Sequence, residues 1–131
     1  MNWFCGRTAV LPLALSTLSP VISGCSGATP SPPEGLLNST QAQRAGGELF
    51  VAHCAICHGL RGDGQGLRHE GMIPAPADLT VTPWSERSGA ADTFLAIRQG
   101  VSGTAMASWP TLSDQQIWQL VAYIETLPEG P

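Results

Sequence analysis

Apolar positions recur at helical spacing in three stretches of the chain, and no stretch shows the alternation of a half-buried strand. In the first, Ala42, Ala45, Gly46, Leu49 and Phe50 share one face, and Thr40 with Gln43 three residues on reads as a capping box. Gly46 and Gly47 each cost a helix about 1 kcal/mol against alanine. Gly46 is expected to let a second helix cross closely, and Gly47 merely to be tolerated. A second helix is predicted over Ala90 to Gln99, with Phe94, Ile97 and then Val101 on one side and Gly100 as its stop. The third is the clearest. Ser113 caps it, Asp114 suits the positive end of its dipole, and Gln116 stands at N3. Ile117, Leu120, Val121, Ile124 and Leu127 form its buried stripe, and Pro128 ends it. The expected fold class is all-α.

Two segments lack this periodicity. Residues 59–88 hold five glycines before Pro74 and then several prolines, and loops this long usually wrap something. Residues 26–39 are rich in Ser, Gly and Pro and have little to bury, which predicts a semi-extended tether. The folded part is expected at residues 40–128, a length that is marginal for a core of its own. No internal repeat is visible.

The N-terminal 24 residues have the composition of an export signal. Arg7 is the only charge before Glu34, and a short apolar stretch from Val10 to Ile22 is broken by Pro12 and Pro20. A membrane-spanning helix needs about 20 apolar residues, so a retained anchor helix is the weaker reading. Ile22-Ser23-Gly24-Cys25 resembles the lipobox of bacterial lipoproteins, which implies removal of residues 1–24 and lipid attachment at Cys25. Residues 25–39 would then tether residues 40–128 to a membrane. A cleaved signal without lipid is the alternative.

With residues 1–24 removed, five arginines face ten Asp and Glu, a formal charge of −5, and the chain has no lysine. An acidic chain without a basic cluster has no electrostatic footprint for nucleic acid. A docking surface on it should be apolar or dotted with arginine.

The candidate chemistry is concentrated in Cys54-Ala55-Ile56-Cys57-His58. Two thiols separated by two residues and followed at once by an imidazole are what covalent attachment of a c-type haem requires. Each sulfur can add to one vinyl group on a single porphyrin edge, and His58 then supplies the proximal nitrogen to the iron. A bare CxxC also serves dithiol redox sites and zinc sites. With Cys5 removed and Cys25 taking lipid, no cysteine is left over as a free thiol or for a disulfide.

These residues resemble the class I c-type cytochromes, small monohaem electron carriers. Gly46 and Phe50 stand eight and four residues before Cys54, where that family places the small residue and the aromatic of its first helix. Leu120 and Tyr123 stand where its last helix crosses them. Residues 59–66 look like its glycine-rich turn, and Pro76-Ala77-Asp78-Leu79-Thr80 like its PADLT-type segment. The resemblance covers residues 42–127. It implies a cytochrome c-like fold of three main helices, with loops wrapped around one covalently bound haem. One departure is that Leu67, not proline, follows Gly66. Which backbone carbonyl takes the Nδ1 proton of His58 is therefore open.

The group opposite His58 decides the chemistry. A thioether raises the potential and closes the iron, whereas an open position permits gas binding or peroxide chemistry. Met106, 48 residues after His58, follows Gly103-Thr104-Ala105 in what resembles the family's distal loop, and is the expected sixth ligand. Met72 and His69 are the alternatives, and a core filler is the bland reading of Met106. His53 is expected near the haem edge or in solvent. Trp84, Trp109 and Arg98 are candidate donors to the haem propionates, with plain packing the alternative for Trp84 and Trp109.

The expected function is a single-electron carrier with a His58/Met106-ligated haem c at the outer face of a bacterial membrane, transforming no substrate itself. Its partners would be a redox protein donor and acceptor, and the membrane through a lipid anchor on Cys25, with no nucleic acid and no small-molecule substrate. The haem domain would face the periplasm or another extracytoplasmic space. The rivals are a haem subunit of a larger redox complex, an open-site gas sensor or peroxidase, and a haem-free dithiol oxidoreductase.

Overall fold

The computed structural model describes residues 29–81 and 84–128, without the side chains of Trp84 and Ser85. Residues 1–28, where the export signal is expected and which include Cys5 and Cys25, lie outside the described residues. The order is α1 (Thr40–His53), α2 (Ala55–His58), α3 (Trp84–Arg87), α4 (Ala90–Gln99) and α5 (Asp114–Ile124), with no strand among the described residues. None of these helices is long and apolar enough to cross a membrane.

The core is built where α1 crosses α5. Phe50, Ile117, Leu120 and Val121 are the largest fully buried side chains. At the crossing a Cβ on Gly46 would fall on the Gln119 carbonyl oxygen and 2.9 Å from the Tyr123 Cβ, so the helix backbones meet without a side chain between them. Four residues on, the Phe50 and Tyr123 rings pack with centroids 5.3 Å apart. The crossing joins the first and last helices of the domain, and the CAICH segment leaves directly from the end of α1. α4 packs on α5 through Phe94 and Trp118, stacked at 4.4 Å. Trp118, one residue off the predicted stripe, is thus core as well.

Both long-helix ends at the C-terminal side match the local signals. At α5, Ser113 Oγ accepts from the Gln116 N–H and Gln116 Oε1 accepts from the Ser113 N–H, closing the capping box. α4 spans Ala90–Gln99 and stops at Gly100, whose φ is 73°. The start of α1 differs from expectation: Ser39, not Thr40, is the N-cap, with its Oγ accepting from the Ala42 N–H at 3.4 Å. No capping box forms there, because with Ser39 as N-cap the N3 position is Ala42, which has no side-chain acceptor; the Ser39 N–H donates to the Leu36 carbonyl. Gln43 instead donates to the Leu37 carbonyl at 2.9 Å. Leu36 and Leu37 themselves pack against the core.

Arg98 is engaged within the fold. Its guanidinium donates to the carbonyls of Leu112 at 2.7 Å and Trp109 at 3.3 Å and pairs with the Asp114 carboxylate. It ties the chain before α5 to α4, and it is not among the residues lining the cavity described below. The side chain of Trp84, another candidate propionate donor, lies outside the described residues.

Candidate haem site

α1 delivers the motif. Its last turn ends at Cys54, whose N–H donates to the Phe50 carbonyl at 2.8 Å, and α2 is one further turn that carries Cys57 and His58. The two thiols are free and unpaired with each other. Burial, and then the neighbouring Cys57, push the Cys54 thiol up to about 11, so at neutral pH it is the protonated thiol.

A helix this short leaves its carbonyls without partners unless another segment supplies donors. The glycine-rich turn does so. Gly59, Arg68, Gly66 and Gly64 donate their N–H groups to the carbonyls of Ala55, Ile56, Cys57 and His58 in turn, at 2.8 to 3.1 Å. The loop can lie this close only without a side chain at Gly66, where a Cβ would sit 2.5 Å from the Ile56 oxygen and 2.6 Å from the Ala55 oxygen. Gly66→Ala is expected to cost about 1–3 kcal/mol through overpacking against backbone. A thermal melt of the haem-bearing protein measures this, and an unchanged midpoint would mean that the loop yields freely.

The same loop orients the imidazole. It returns through the 76–80 segment, where Leu79 N–H donates to the Gly62 carbonyl at 2.7 Å. Asp78 Oδ1 accepts from the Thr80 N–H and hydroxyl at 2.8 and 2.6 Å in an Asx turn. Just before that turn, the Ala77 carbonyl accepts from His58 Nδ1 at 3.0 Å. A carbonyl can only accept, so this bond places the proton on Nδ1 and leaves the Nε2 lone pair for a metal. Ala77 is thus the oxygen that sequence reasoning left open. Only the PADLT-type segment hinted at it, since a backbone acceptor has no side-chain signature.

Cys54, Cys57 and His58 open onto a cavity of about 410 Å³, within the roughly 300–1,000 Å³ range of small-molecule and cofactor sites. Met106 lines the same cavity, as does Met72, whereas His69 does not. His69 Nδ1 is instead held by the Gly66 carbonyl at 2.6 Å. Met106 ends a closed loop. Val101 N–H donates to the Met106 carbonyl at 3.0 Å, while the Thr104 hydroxyl donates to the Val101 carbonyl and accepts from the Met106 N–H. A Cβ at Gly100 would come within 2.7 Å of the Met106 oxygen. Thr104 lines the cavity too, and sequence reasoning gave it no role. His53 and Trp109 form part of the wall, with ring centroids 5.2 Å apart.

Two thiols one turn apart, an imidazole with a free Nε2, a thioether and mostly apolar walls fit an iron porphyrin. When bound, haem supplies one-electron cycling of iron between its ferrous and ferric states.

Fold and site together define a class I, monohaem c-type cytochrome. Residues 41–124 match the family described as cytochrome c oxidase, cbb3-type, subunit III, and the chain belongs to that family. Cytochrome c-554(547) of Halothiobacillus neapolitanus is 37% identical over 92 residues, covering 63% of this chain and 93% of that protein. The cbb3-type cytochrome c oxidase subunit FixP of Azorhizobium caulinodans is 32% identical over 116 residues. That match covers 88% of this chain but 35% of FixP, so the chain spans about a third of that relative. Among solved structures, a chain of the reducing HAO-like protein complex of Kuenenia stuttgartiensis has a TM-score of 0.60 at 26% identity. It aligns with 79% of this chain and 48% of its own length. Cytochrome cL of Methylophaga aminisulfidivorans, with a TM-score of 0.53 at 19% identity over 74% of this chain and 70% of its own, shares the fold. The cofactor of this family is covalently bound haem c, and Cys54 and Cys57 fit its attachment motif.

Proposed function

We propose that this cytochrome is a single-electron carrier whose iron is held by His58 Nε2 on one side and the Met106 sulfur on the other. The observation that carries the reading is the shared cavity. An imidazole locked in the right tautomer by Ala77 and a methionine at the end of a hydrogen-bonded loop both line it. Both ligands come from segments braced by backbone bonds, so neither has to move when the iron changes charge. That is the structural condition for fast electron transfer without substrate turnover. The test is carbon monoxide: ferrous protein should form no adduct without denaturation, and its potentiometric titration should follow a one-electron curve. Ready adduct formation would replace this reading with an open-site sensor or peroxidase.

The same proposal places the haem domain outside the cell's inner compartment, exported by residues 1–24 and held to a bacterial membrane by lipid on Cys25. Two or more acyl chains give stable attachment, each buried CH₂ contributing ~0.8 kcal/mol. The part of residues 25–39 before Leu36, which packs against the core, would let the domain move between donor and acceptor, raising their effective concentration. Cys25→Ser should release the domain into the soluble fraction, and a wild type already soluble with an unmodified Cys25 removes the anchor.

A second reading, a fixed haem subunit of a larger redox complex, is favoured by the family's description and by FixP. Co-elution with a redox enzyme in mild detergent at fixed stoichiometry would select it over the free shuttle.

A further inference from the structure

Haem attachment by two vinyl thioethers has a geometric corollary. The vinyl groups lie on one side of the porphyrin and the propionates on the other, so Cys54 and Cys57 mark the edge remote from the propionates. The surface over that edge is unusual in this chain. Ile56, between the two cysteines, and Val101 are both partly exposed and line the cavity. Leu67 and Ile73 are 91% and 92% exposed, each next in sequence to a cavity-lining residue, Arg68 and Pro74. Arg68 is fixed there by its own backbone, its N–H donating to the Ile56 carbonyl at 2.8 Å.

Arg68 is also the odd arginine out. Arg44 pairs with Glu48, Arg61 with Asp63 and Arg98 with Asp114, and Arg87 donates to the Asp78 carbonyl. Among the described residues Arg68 has no such partner, and no Asp or Glu lines the cavity. A chain of formal charge −4 therefore places one unneutralised guanidinium at the wall of this cavity, on a loop that also carries exposed Leu67 and Ile73.

We infer that Leu67, Arg68 and Ile73, with Ile56 beneath them, form the docking face for a redox protein whose own electron-exchange surface is apolar and carries a single carboxylate. The inference rests on the electron-carrier reading and adds the chemistry of the partner. Charge complementarity selects that occupant. A basic face would meet Arg68 at close range, and a strongly acidic one would be repelled by the rest of the chain. An apolar face with one carboxylate gains a charge-assisted bond at Arg68 and buries the exposed Leu67 and Ile73. With haem bound, one electron would pass at this face from ferrous iron to the oxidised partner, leaving ferric iron and a reduced partner.

Protein-film voltammetry of the haem-bearing protein tests this on gold coated with a methyl-terminated monolayer bearing sparse carboxylates, against an amine-terminated surface. The expected result is faster interfacial electron transfer on the methyl/carboxylate surface. Both Arg68→Glu and the Leu67→Ser/Ile73→Ser double variant should slow it by about tenfold, at the low end of what interface charge does to association. The Leu67→Ser/Ile73→Ser variant, whose residues do not line the cavity, should keep its midpoint potential in solution, and an unaltered haem absorption spectrum in Arg68→Glu confirms an intact haem site. Equal rates for wild type and both variants, or faster transfer on the amine surface, would overturn the inference. So would a pH-dependent shift of the solution potential in Arg68→Gln, which would assign Arg68 to a propionate. A reversible wave in solution with any of these results defeats the docking face alone. No reversible wave anywhere defeats the electron-carrier reading, and the inference with it.

Discussion

Gly46→Val is expected to yield little or no folded, haem-bearing protein. The added Cβ would land on the Gln119 carbonyl oxygen, with the Tyr123 Cβ at 2.9 Å. Both obstacles are backbone or the base of a side chain, so no rotamer change relieves them, and the helices must separate. Overpacking ordinarily costs about 1–3 kcal/mol and more where backbone must shift. A small domain has only about 5–15 kcal/mol in total. Separation here would also loosen Phe50 against Tyr123 and displace the end of α1, from which Cys54 follows directly. Gly47→Ala is the control. Its Cβ would meet the tip of the Tyr123 ring at 3.1 Å, and a ring can swing. The helix-propensity gain of about 1 kcal/mol should offset that movement. Haem yield and thermal midpoint, compared between the two variants, read the difference; equal behaviour would mean that the crossing is not where the domain is held closed.

Met106→Leu should lower the midpoint potential by about 0.1–0.3 V, a part of the roughly 0.8 V that axial ligation spans. It should also let ferrous protein bind carbon monoxide. The thioether sulfur stabilises ferrous iron, and leucine keeps the volume while removing the donor. Because Met72 lines the same cavity, Met72→Leu is the necessary partner experiment, and it should leave potential and carbon monoxide inertness unchanged. The loop argument separates the two. Met106 is held at its N–H by Thr104 and at its carbonyl by the Val101 N–H. Met72 lies five residues before Ala77, on the segment that supports His58 from its own side. If the Met72 variant lost the potential instead, the axial assignment would pass to it.

Asp63 shows how local charge supports this architecture. The Gln65 N–H, and then the Arg61 guanidinium, hold its carboxyl below the usual carboxylate range, which pins the turn capping α2. A carboxyl lowered in the folded state stabilises the turn above its unfolded value of 3.8 and loses that contribution as pH falls further.

What could be read along the chain and what could not divide by range. Ser113 and Gln116 form their capping box as expected, because a cap is a matter of three residues and their own backbone. The bounds of α4 were legible for the same reason, with Gly100 supplying the left-handed stop. The spacing of Cys54, Cys57 and His58 points to the cofactor, since one helical turn sets where two thiols and an imidazole can point. At α1, local reasoning chose Thr40 and the structure chose Ser39. Ser39 is held there by its N–H bond to the Leu36 carbonyl, in a turn whose leucines dock on a core assembled elsewhere.

By itself, then, the sequence determined the helices, the point of closest crossing at Gly46 and the covalent chemistry, all of which follow from hydrogen bonds and spacings within a few residues. The tertiary structure alone decided which oxygen orients His58, 19 residues away at Ala77, and where Arg98 is spent. It also decided that Arg68, without a carboxylate partner among the described residues, lines the cavity beside Ile56. Those outcomes depend on where a glycine-rich loop comes to rest. Its path is set by carbonyls that α2 leaves without partners, which no local pattern in the loop records.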